Sequence, residues 1–205
     1  MLDRVLHVLD GWKHRYAGND SVAGFIDWDE RNGESEYVKV LAGNSRYTLE
    51  NSIFDPLAVA ALLLRKDKKK REKFKLAPTE TYKNLPTVSV EKLQAIADAV
   101  VEDIAAHAEA VASAASPHGT QRDQVSYVGG FELAIPRRYL RHNGHVLERI
   151  VFQTYEVFKE YRDNSKRVRQ DVIDFVFTEH PEILPVEVLA VLRRIEASFG
   201  VETGE

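Results

Sequence analysis

The chain is organised around the segment S-V-A-G-F-I-D-W-D-E-R-N, residues 21–32, in which an apolar run leads directly into two carboxylates. The short run Val22–Ile26, bounded by polar residues, predicts a strand that is buried on both faces, as in a parallel sheet. Asp27 and Asp29 follow this run with one residue between them. Because side chains alternate along a strand, both carboxylates are expected on the same side of it.

Two carboxylates at this position predict a site for a hard divalent cation such as Mg²⁺, which prefers oxygen ligands. Open α/β sheets bind their ligands outside the carboxyl ends of strands, which is where Asp27 and Asp29 fall. The alternative interpretation is that the two residues merely begin a polar loop after the strand. Acidic residues are common in such loops.

A second segment with acidic residues, Y-T-L-E-N-S-I-F-D-P, covers residues 47–56. Asp55 stands directly before Pro56, and proline is favoured in the first helical turn because its missing N–H is not needed there. We expect Asp55 to cap a helix over Leu57–Leu64 rather than to take part in chemistry. Glu50 has no evident capping role, so a structural and a functional role are both open for it.

Composition excludes several classes of protein. Of the 205 residues, 44% are hydrophobic and 29% are charged, which is the balance of an ordinary globular domain. The absence of cysteine excludes disulfides and thiolate chemistry, and we expect a cytoplasmic location. The longest apolar run, Leu57–Leu64, is too short to cross a membrane. A net charge of −4 argues against binding nucleic acid through bulk positive charge but allows a local basic track.

A basic run, R-K-D-K-K-K-R-E-K-F-K, covers residues 65–75. Such a run is either a solvated helix end or loop, or a contact with a nucleic-acid backbone. In the second case each Lys or Arg that neutralises a phosphate also releases a counterion. Both interpretations are open, and the second makes Lys68, Lys69, Lys70 and Arg71 candidate ligands of nucleic acid.

Hydrophobic periodicity predicts the remaining elements. They are helices over Met1–Tyr16 and Ser89–Ser113, a strand over Tyr37–Leu41, a hairpin over Val125–Ile135, and two helices over 164–199. Ser89 is expected to cap the long alanine-rich helix, and Gly129-Gly130 to form a primed turn in the hairpin. This order predicts an α/β fold with a partly parallel sheet and helices on both faces.

Four separated segments together resemble the topoisomerase–primase (TOPRIM) domain, in the form found in OLD-type nucleases and related phage-defence effectors. They are I-D-W-D-E-R at 26–31, Y-T-L-E-N-S-I-F-D-P at 47–56, F-E-L-A-I-P at 131–136 and N-G-H-V-L-E at 143–148. The resemblance implies a Rossmann-like domain over residues 1–160, with a helical insert at about 87–116, and a helical tail over 161–205. It further implies a metal-dependent nuclease that cuts DNA or RNA in antiviral defence, with an ABC-type ATPase as partner.

The resemblance also assigns roles to individual residues. Asp27 and Asp29 match the D-x-D motif of the family, which binds Mg²⁺ or Mn²⁺ for catalysis, and Glu50 matches a further acid of that site. His145 and Arg149 lie near the position where relatives carry a basic residue, and they are expected to contact a phosphate. In-line cleavage of a phosphodiester needs positive charge at the attacking and leaving oxygens, which divalent ions supply.

The chain departs from the TOPRIM pattern before the D-x-D strand. In the family, a first strand carries a Glu and is followed by the helix that leads to that strand, whereas here no such strand precedes helix Met1–Tyr16. The chain also has no P-loop or other ATPase motif. We therefore expect it to be a weak or inactive nuclease by itself, because losing one placed acid or base costs ~10²–10⁴-fold in rate. An upstream polypeptide that adds the missing strand is expected to complete the site.

Two other functions fit the same residues. The first is an interaction or sensor module that has kept the α/β scaffold and lost the chemistry, as the missing Glu suggests. The second is a phosphotransferase of the haloacid-dehalogenase type, which also begins with an apolar strand ending in D-x-D. That family has Thr or Val two residues after the second Asp, where this chain has Arg31, so the resemblance is weaker.

Overall fold

A computed structural model gives the structure of the chain for most of its length. The residues that it describes are 24–27, 38–40, 45–67, 69–110, 117, 119–161 and 164–198. The predicted helix Met1–Tyr16, Asp29 and Lys68 lie outside these residues. Over the described part, the chain is mixed α/β and mostly helical.

Two short strands, β1 (Gly24–Ile26) and β2 (Val38–Val40), form a parallel pair in which Phe25 lies opposite Lys39. The strands predicted within 22–26 and 37–41 are thus confirmed at these residues, and the two strands lie side by side. In the described part of the chain this sheet has two strands. The larger TOPRIM-like sheet with helices on both faces stays a prediction.

A separate antiparallel hairpin consists of β3 (Arg122–Ser126) and β4 (Glu132–Pro136). The predicted hairpin is confirmed, but the predicted primed turn is wrong. The Tyr127 carbonyl accepts the Gly130 N–H at 2.9 Å, and the Tyr127 N–H donates to the Phe131 carbonyl at 2.9 Å. Gly130 has a φ of +79°, whereas Gly129 does not have a positive φ. This is a three-residue loop that ends in one left-handed glycine.

The helices before the hairpin are α1 (Leu49–Ile53), α2 (Pro56–Lys66), α3 (Lys70–Lys73) and α4 (Val90–Ala110), with a 3₁₀ helix at Tyr82–Thr87. Of these, α2 and α4 were predicted from the sequence, whereas α1 and the 3₁₀ helix were not. Asp55 caps α2 as predicted, since its Oδ1 accepts the Leu57 N–H at 2.9 Å. Ser89 caps α4 more loosely, because its Oγ accepts the Lys92 N–H at 3.4 Å.

The elements after the hairpin bring distant parts of the sequence together. They are α5 (Arg137–Leu140), α6 (Gly144–Thr154), a 3₁₀ helix at Glu156–Tyr161, α7 (Ser165–Val172), a π-helical turn at Ile173–Phe177, a 3₁₀ turn at Pro181–Ile183 and α8 (Val186–Ser198). The two helices predicted over 164–199 are confirmed in α7 and α8. The segment between them contacts the hairpin tip, where the Val128 N–H donates to the Leu184 carbonyl at 2.9 Å.

Helix α2 lies in the hydrophobic core. Every residue from Pro56 to Leu64 is buried, so the helix is surrounded by protein on all sides. Helix α4 packs against α2 through the predicted apolar stripe, of which Leu93, Val100 and Ile104 are fully buried. Burying each such side chain contributes about 1.5–3 kcal/mol, and this packing holds the segments that carry the acidic residues.

A fully buried arginine joins four parts of the chain. Arg46 donates from Nη2 to Asp55 Oδ2 at 2.7 Å, from Nε to Glu187 Oε1 at 2.7 Å and from Nη1 to the Asn51 carbonyl at 2.6 Å. The Tyr127 hydroxyl donates to Asp55 at 3.1 Å. We call Arg46, Asp55, Tyr127 and Glu187 the Arg46 cluster. Burial alone would lower the pKa of Arg46, but the charges of Asp55 and Glu187 outweigh burial and raise this pKa above its ordinary value.

Candidate metal site

The position of Glu50 is set by the first turn of α1. Thr48 donates from its backbone N–H to Asn51 Oδ1 at 2.9 Å, which closes this turn. The amide of Asn51 in turn donates to the carbonyls of Tyr139 at 3.2 Å and His142 at 3.1 Å. These bonds fix α1 against the segment that leads into α6, so that Glu50 faces the start of that helix.

Gly144 allows this close approach of the two helices. A Cβ on Gly144 would lie 2.0 Å from Thr48 Oγ1 and 2.9 Å from Glu50 Cβ, which is shorter than any van der Waals contact. The helix begins here because Asn143 caps it, with its Oδ1 accepting the Val146 N–H at 3.1 Å. His145 and Glu148, the second and fifth residues of α6, are therefore held within reach of Glu50.

Three potential metal ligands meet at this contact. His145 and Glu148 are three residues apart on α6 and so lie on one side of the helix. His145 Nδ1 is 3.9 Å from Glu50 Oε1 and 4.0 Å from Glu148 Oε2, and ligand atoms of all three residues lie within 4.8 Å of one another. Glu50 and Glu148 are buried, whereas the His145 side chain is 79% exposed. We call these three residues the Glu50 site.

A fourth side chain, Arg169 of α7, reaches the Glu50 site from the tail. Its Nη2 is 2.8 Å from Glu50 Oε1 and 3.3 Å from Glu148 Oε2. With two carboxylates and one guanidinium, the group has a formal charge of −1. Within the described part of the chain, neither Glu148 Oε1 nor Arg169 Nε has a hydrogen-bond partner, although both atoms are buried. Buried polar groups are seldom left in this state.

The Glu50 site fits a divalent cation in its chemistry. Two ligands of one ion are at most about 4.2 Å apart when each bond is about 2.1 Å long. The separations of 3.9 and 4.0 Å to His145 Nδ1 meet this limit. All three ligand atoms lie within 4.8 Å of one another, so that a small closure would bring every pair within it. The two carboxylates suit Mg²⁺ or Mn²⁺, and an imidazole ligand favours the transition metal of the two. The unpartnered oxygen of Glu148 adds a donor for such an ion.

The predicted acidic residues are only partly brought together. Asp27 follows β1, and its Oδ1 accepts the N–H of Leu49, the first residue of α1, at 2.7 Å. Asp27 therefore connects the end of the parallel strand to the helix that carries Glu50. Asp29 lies outside the described residues. The roles of Asp27, Asp29 and Glu50 as a shared metal site stay a prediction.

Many basic residues of the run 65–75 form contacts within the protein. Arg65 pairs with Glu179 at 3.1 Å, Lys66 pairs with Glu160 at 2.5 Å, and Lys73 pairs with Asp103. Among the predicted nucleic-acid ligands, Arg71 donates to the Pro78 carbonyl. Lys69 is exposed and Lys70 is half-buried, while Lys68 lies outside the described residues.

The other two predicted phosphate contacts lie on α6. His145 and Arg149 are both exposed, and His145 is at the same time a member of the Glu50 site. The sequence interpretation thus placed His145 near the site but as a phosphate contact rather than a metal ligand.

Glu148 of the Glu50 site, and Arg169, which contacts the site, were not among the sequence candidates. The spacing His-x-x-Glu over 145–148 is a detectable signal, because residues three apart share a helix face. Arg169 is more than 100 positions from Glu50 in the sequence, and no local pattern connects the two. Its role depends on how α7 packs.

Comparison of the chain with protein-family models, with curated proteins and with solved structures finds no match. Within the described part of the chain, no helix has both the length and the apolar character needed to span a membrane. The geometry of the Glu50 site and the resemblance described above are therefore the two supports for a function.

Proposed function

We propose that the chain is a TOPRIM-like domain that binds Mg²⁺ or Mn²⁺ and takes part in metal-dependent cleavage of nucleic-acid phosphodiesters. The observation that carries this proposal is the Glu50 site, in which two buried carboxylates and one exposed imidazole converge. A parallel strand ends at Asp27, next to the helix that bears Glu50. This arrangement supports the family's placement of acids beside the carboxyl end of a strand.

Each residue has a distinct part in the proposed chemistry. Glu50 and Glu148 would hold the cation from the buried side, and His145 would complete the ligand set at the exposed rim. When bound, such an ion activates water and withdraws charge from the phosphate. In hydrolysis, a water oxygen forms a new bond to phosphorus, the bond to the leaving sugar oxygen breaks, and that oxygen gains a proton.

The proposal includes partners. A nucleic-acid strand would contact Arg149 beside the site, together with Lys69 and Lys70 of the basic run. The protein partner would be an ABC-type ATPase.

The experiment is a long incubation of purified chain with supercoiled plasmid and with labelled single-stranded RNA, in Mn²⁺, in Mg²⁺ and in EDTA. We expect cleavage that requires metal and that is lost in Glu148→Gln and Glu50→Gln. Glu102→Gln is the matched control, because Glu102 is an exposed glutamate on α4. Cleavage that persists in EDTA or in Glu148→Gln would contradict the proposal.

A second function, a catalytically inactive interaction module, is favoured by one observation. Arg169 already provides a positive charge to Glu50 and Glu148 at 2.8 and 3.3 Å, as a retained scaffold without its metal would require. Electron paramagnetic resonance of added Mn²⁺ separates the two functions. Absence of Mn²⁺ binding, together with absence of cleavage, would support the inactive module.

A further inference from the structure

The two oxygens that Arg169 contacts are the same two oxygens that face His145. Arg169 Nη2 lies 2.8 Å from Glu50 Oε1 and 3.3 Å from Glu148 Oε2. His145 Nδ1 is 3.9 and 4.0 Å from these same atoms. An ion held by the three ligands would therefore approach the oxygens that the guanidinium now contacts. Two cations at one pair of carboxylates repel each other strongly at low dielectric constant.

We propose that Arg169 is a built-in competitor of the divalent cation, so that metal binding requires its side chain to leave Glu50 and Glu148. This inference rests on the metal site of the proposed function. The formal charges agree with this competition. The two carboxylates together have a charge of −2, which one divalent cation neutralises fully, whereas one guanidinium neutralises only half of it. The freed guanidinium is hydrated in solvent.

The surroundings of Arg169 allow a movement of the side chain without a movement of α7. Val168 and Val172 on the same helix are almost fully buried and anchor its backbone in the core. The Arg169 side chain, in contrast, is 30% exposed, so it has a direct route to solvent. Its Nε is buried and, within the described part of the chain, without a hydrogen-bond partner. When the Arg169 side chain leaves the site, it therefore also leaves an arrangement in which its Nε–H group has no hydrogen-bond acceptor.

Competition of this kind has a measurable size. If the form with Arg169 displaced is populated at about 10% or less, the apparent Kd for metal is raised about tenfold or more over that of the open form. Removing the guanidinium should lower the apparent Kd for metal to that of the open form. The side-chain amide of glutamine keeps hydrogen-bonding capacity but has no charge to compete with.

The experiment measures Mn²⁺ affinity by calorimetry and by paramagnetic resonance, with no nucleic acid present. We expect Arg169→Gln to bind Mn²⁺ about tenfold more tightly than wild type. Arg167→Gln removes the same charge from an exposed position of the same helix and should bind as wild type does. Glu148→Gln should bind at least about tenfold more weakly, because it removes a ligand.

The outcomes distinguish the two proposals. If Glu148→Gln weakens Mn²⁺ binding but Arg169→Gln leaves it unchanged or weaker, the metal site stands and the competitor is refuted. If Glu148→Gln binds as tightly as wild type, the metal site is misassigned and both proposals fail. If Arg167→Gln tightens binding as much as Arg169→Gln does, the effect is general electrostatics and the competitor is again refuted.

A measurement on the wild-type chain covers the case in which Arg169→Gln does not fold. Titration with diamagnetic Mg²⁺ is followed through the NMR signal of the Arg169 Nε–H group. We expect this signal to lose its protection from exchange with water as the site fills. A signal that stays unchanged while the backbone signal of Glu148 shifts to saturation would overturn the inference.

Discussion

Arg46 and Arg169 each bridge two acidic side chains, yet their surroundings differ. Arg46 is fully buried, and all three of its nitrogens donate to protein oxygens at 2.6–2.7 Å. Arg169 is 30% exposed and uses one nitrogen for both of its carboxylates, at 2.8 and 3.3 Å. The first arrangement has no room for another cation. The second can exchange its cation, and this is what distinguishes a structural ion pair from a candidate binding site.

The largest expected effect comes from breaking the Arg46 cluster. In Arg46→Ala, Asp55 would be left as a buried charge without its main partner. Such a change typically lowers the free energy of unfolding by about 3–5 kcal/mol. Urea denaturation followed by circular dichroism would measure it, with Arg193→Ala on the exposed face of α8 as control. A loss no greater than that of the control would show that the cluster does not stabilise the fold.

The close contact behind the Glu50 site gives the next effect. In Gly144→Ala, the new methyl group would lie 2.0 Å from Thr48 Oγ1, so α1 and α6 must move apart. Overpacking of this kind costs about 1–3 kcal/mol, although alanine is the better helix former. We expect both a lower free energy of unfolding in urea and a weaker affinity for Mn²⁺.

Gln153→Ala is the control for this substitution, because it introduces alanine at an exposed position of the same helix. The prediction would be contradicted if Gly144→Ala were more stable than wild type. In that case the helices would not be held as close together as the structure places them.

A smaller effect sharpens the comparison between the two arginines directly. Arg169→Gln should lower the free energy of unfolding by less than Arg46→Ala does, because the Arg169 side chain is 30% exposed and water can partly replace it. Excess Mn²⁺ should recover this loss, because a ligand at 100 times its Kd adds about 2.7 kcal/mol. In Arg46→Ala, Mn²⁺ should raise the free energy of unfolding by no more than it does in wild type. Thermal unfolding with and without Mn²⁺ would test this. If the two arginine substitutions lowered the free energy of unfolding equally, Arg46 and Arg169 could not be separated into a structural ion pair and a candidate binding site.

The smallest expected effect concerns basic residues that belong neither to the Arg46 cluster nor to the Glu50 site. Lys69→Glu with Lys70→Glu should weaken DNA binding and reduce the slope of log affinity against log salt by about 2, or about 1 for each lost phosphate contact. Lys66→Gln is a useful comparison, because Lys66 pairs with Glu160 and is expected to leave the slope unchanged. Fluorescence anisotropy over a range of salt concentrations would measure both. An unchanged slope in the double variant would identify the run as a solvated surface.

Local signals predicted much of the fold. Pro56 with the capping Asp55 marked the start of α2, the apolar stripe marked α4, and the paired glycines marked the hairpin between β3 and β4. In each case the interactions that decide the structure join residues a few positions apart. The turn type was mispredicted because two adjacent glycines permit several turns, and the choice between them depends on the pairing of the flanking strands.

The sites were harder to predict because their partners are distant in sequence. Glu50 was a candidate, but its contacts with His145, Glu148 and Arg169 cross about 95 to 119 positions. The basic run was equally ambiguous, since Glu160 and Glu179, which pair with Lys66 and Arg65, belong to other elements. Sequence patterns state which residues are charged, whereas packing determines which charges meet.

The Arg46 cluster and the Glu50 site each depend on one residue from the last part of the described chain. This has a consequence for how the chain folds during its synthesis. Glu187 of α8 completes the Arg46 cluster, and Arg169 of α7 reaches the Glu50 site. A ribosome releases the acids at 50, 55 and 148 before either of these partners has emerged. During that interval the nascent chain holds unneutralised carboxylates next to apolar surface that would otherwise be buried. Final compaction of the described part of the chain is therefore expected only after α8 has emerged from the ribosome.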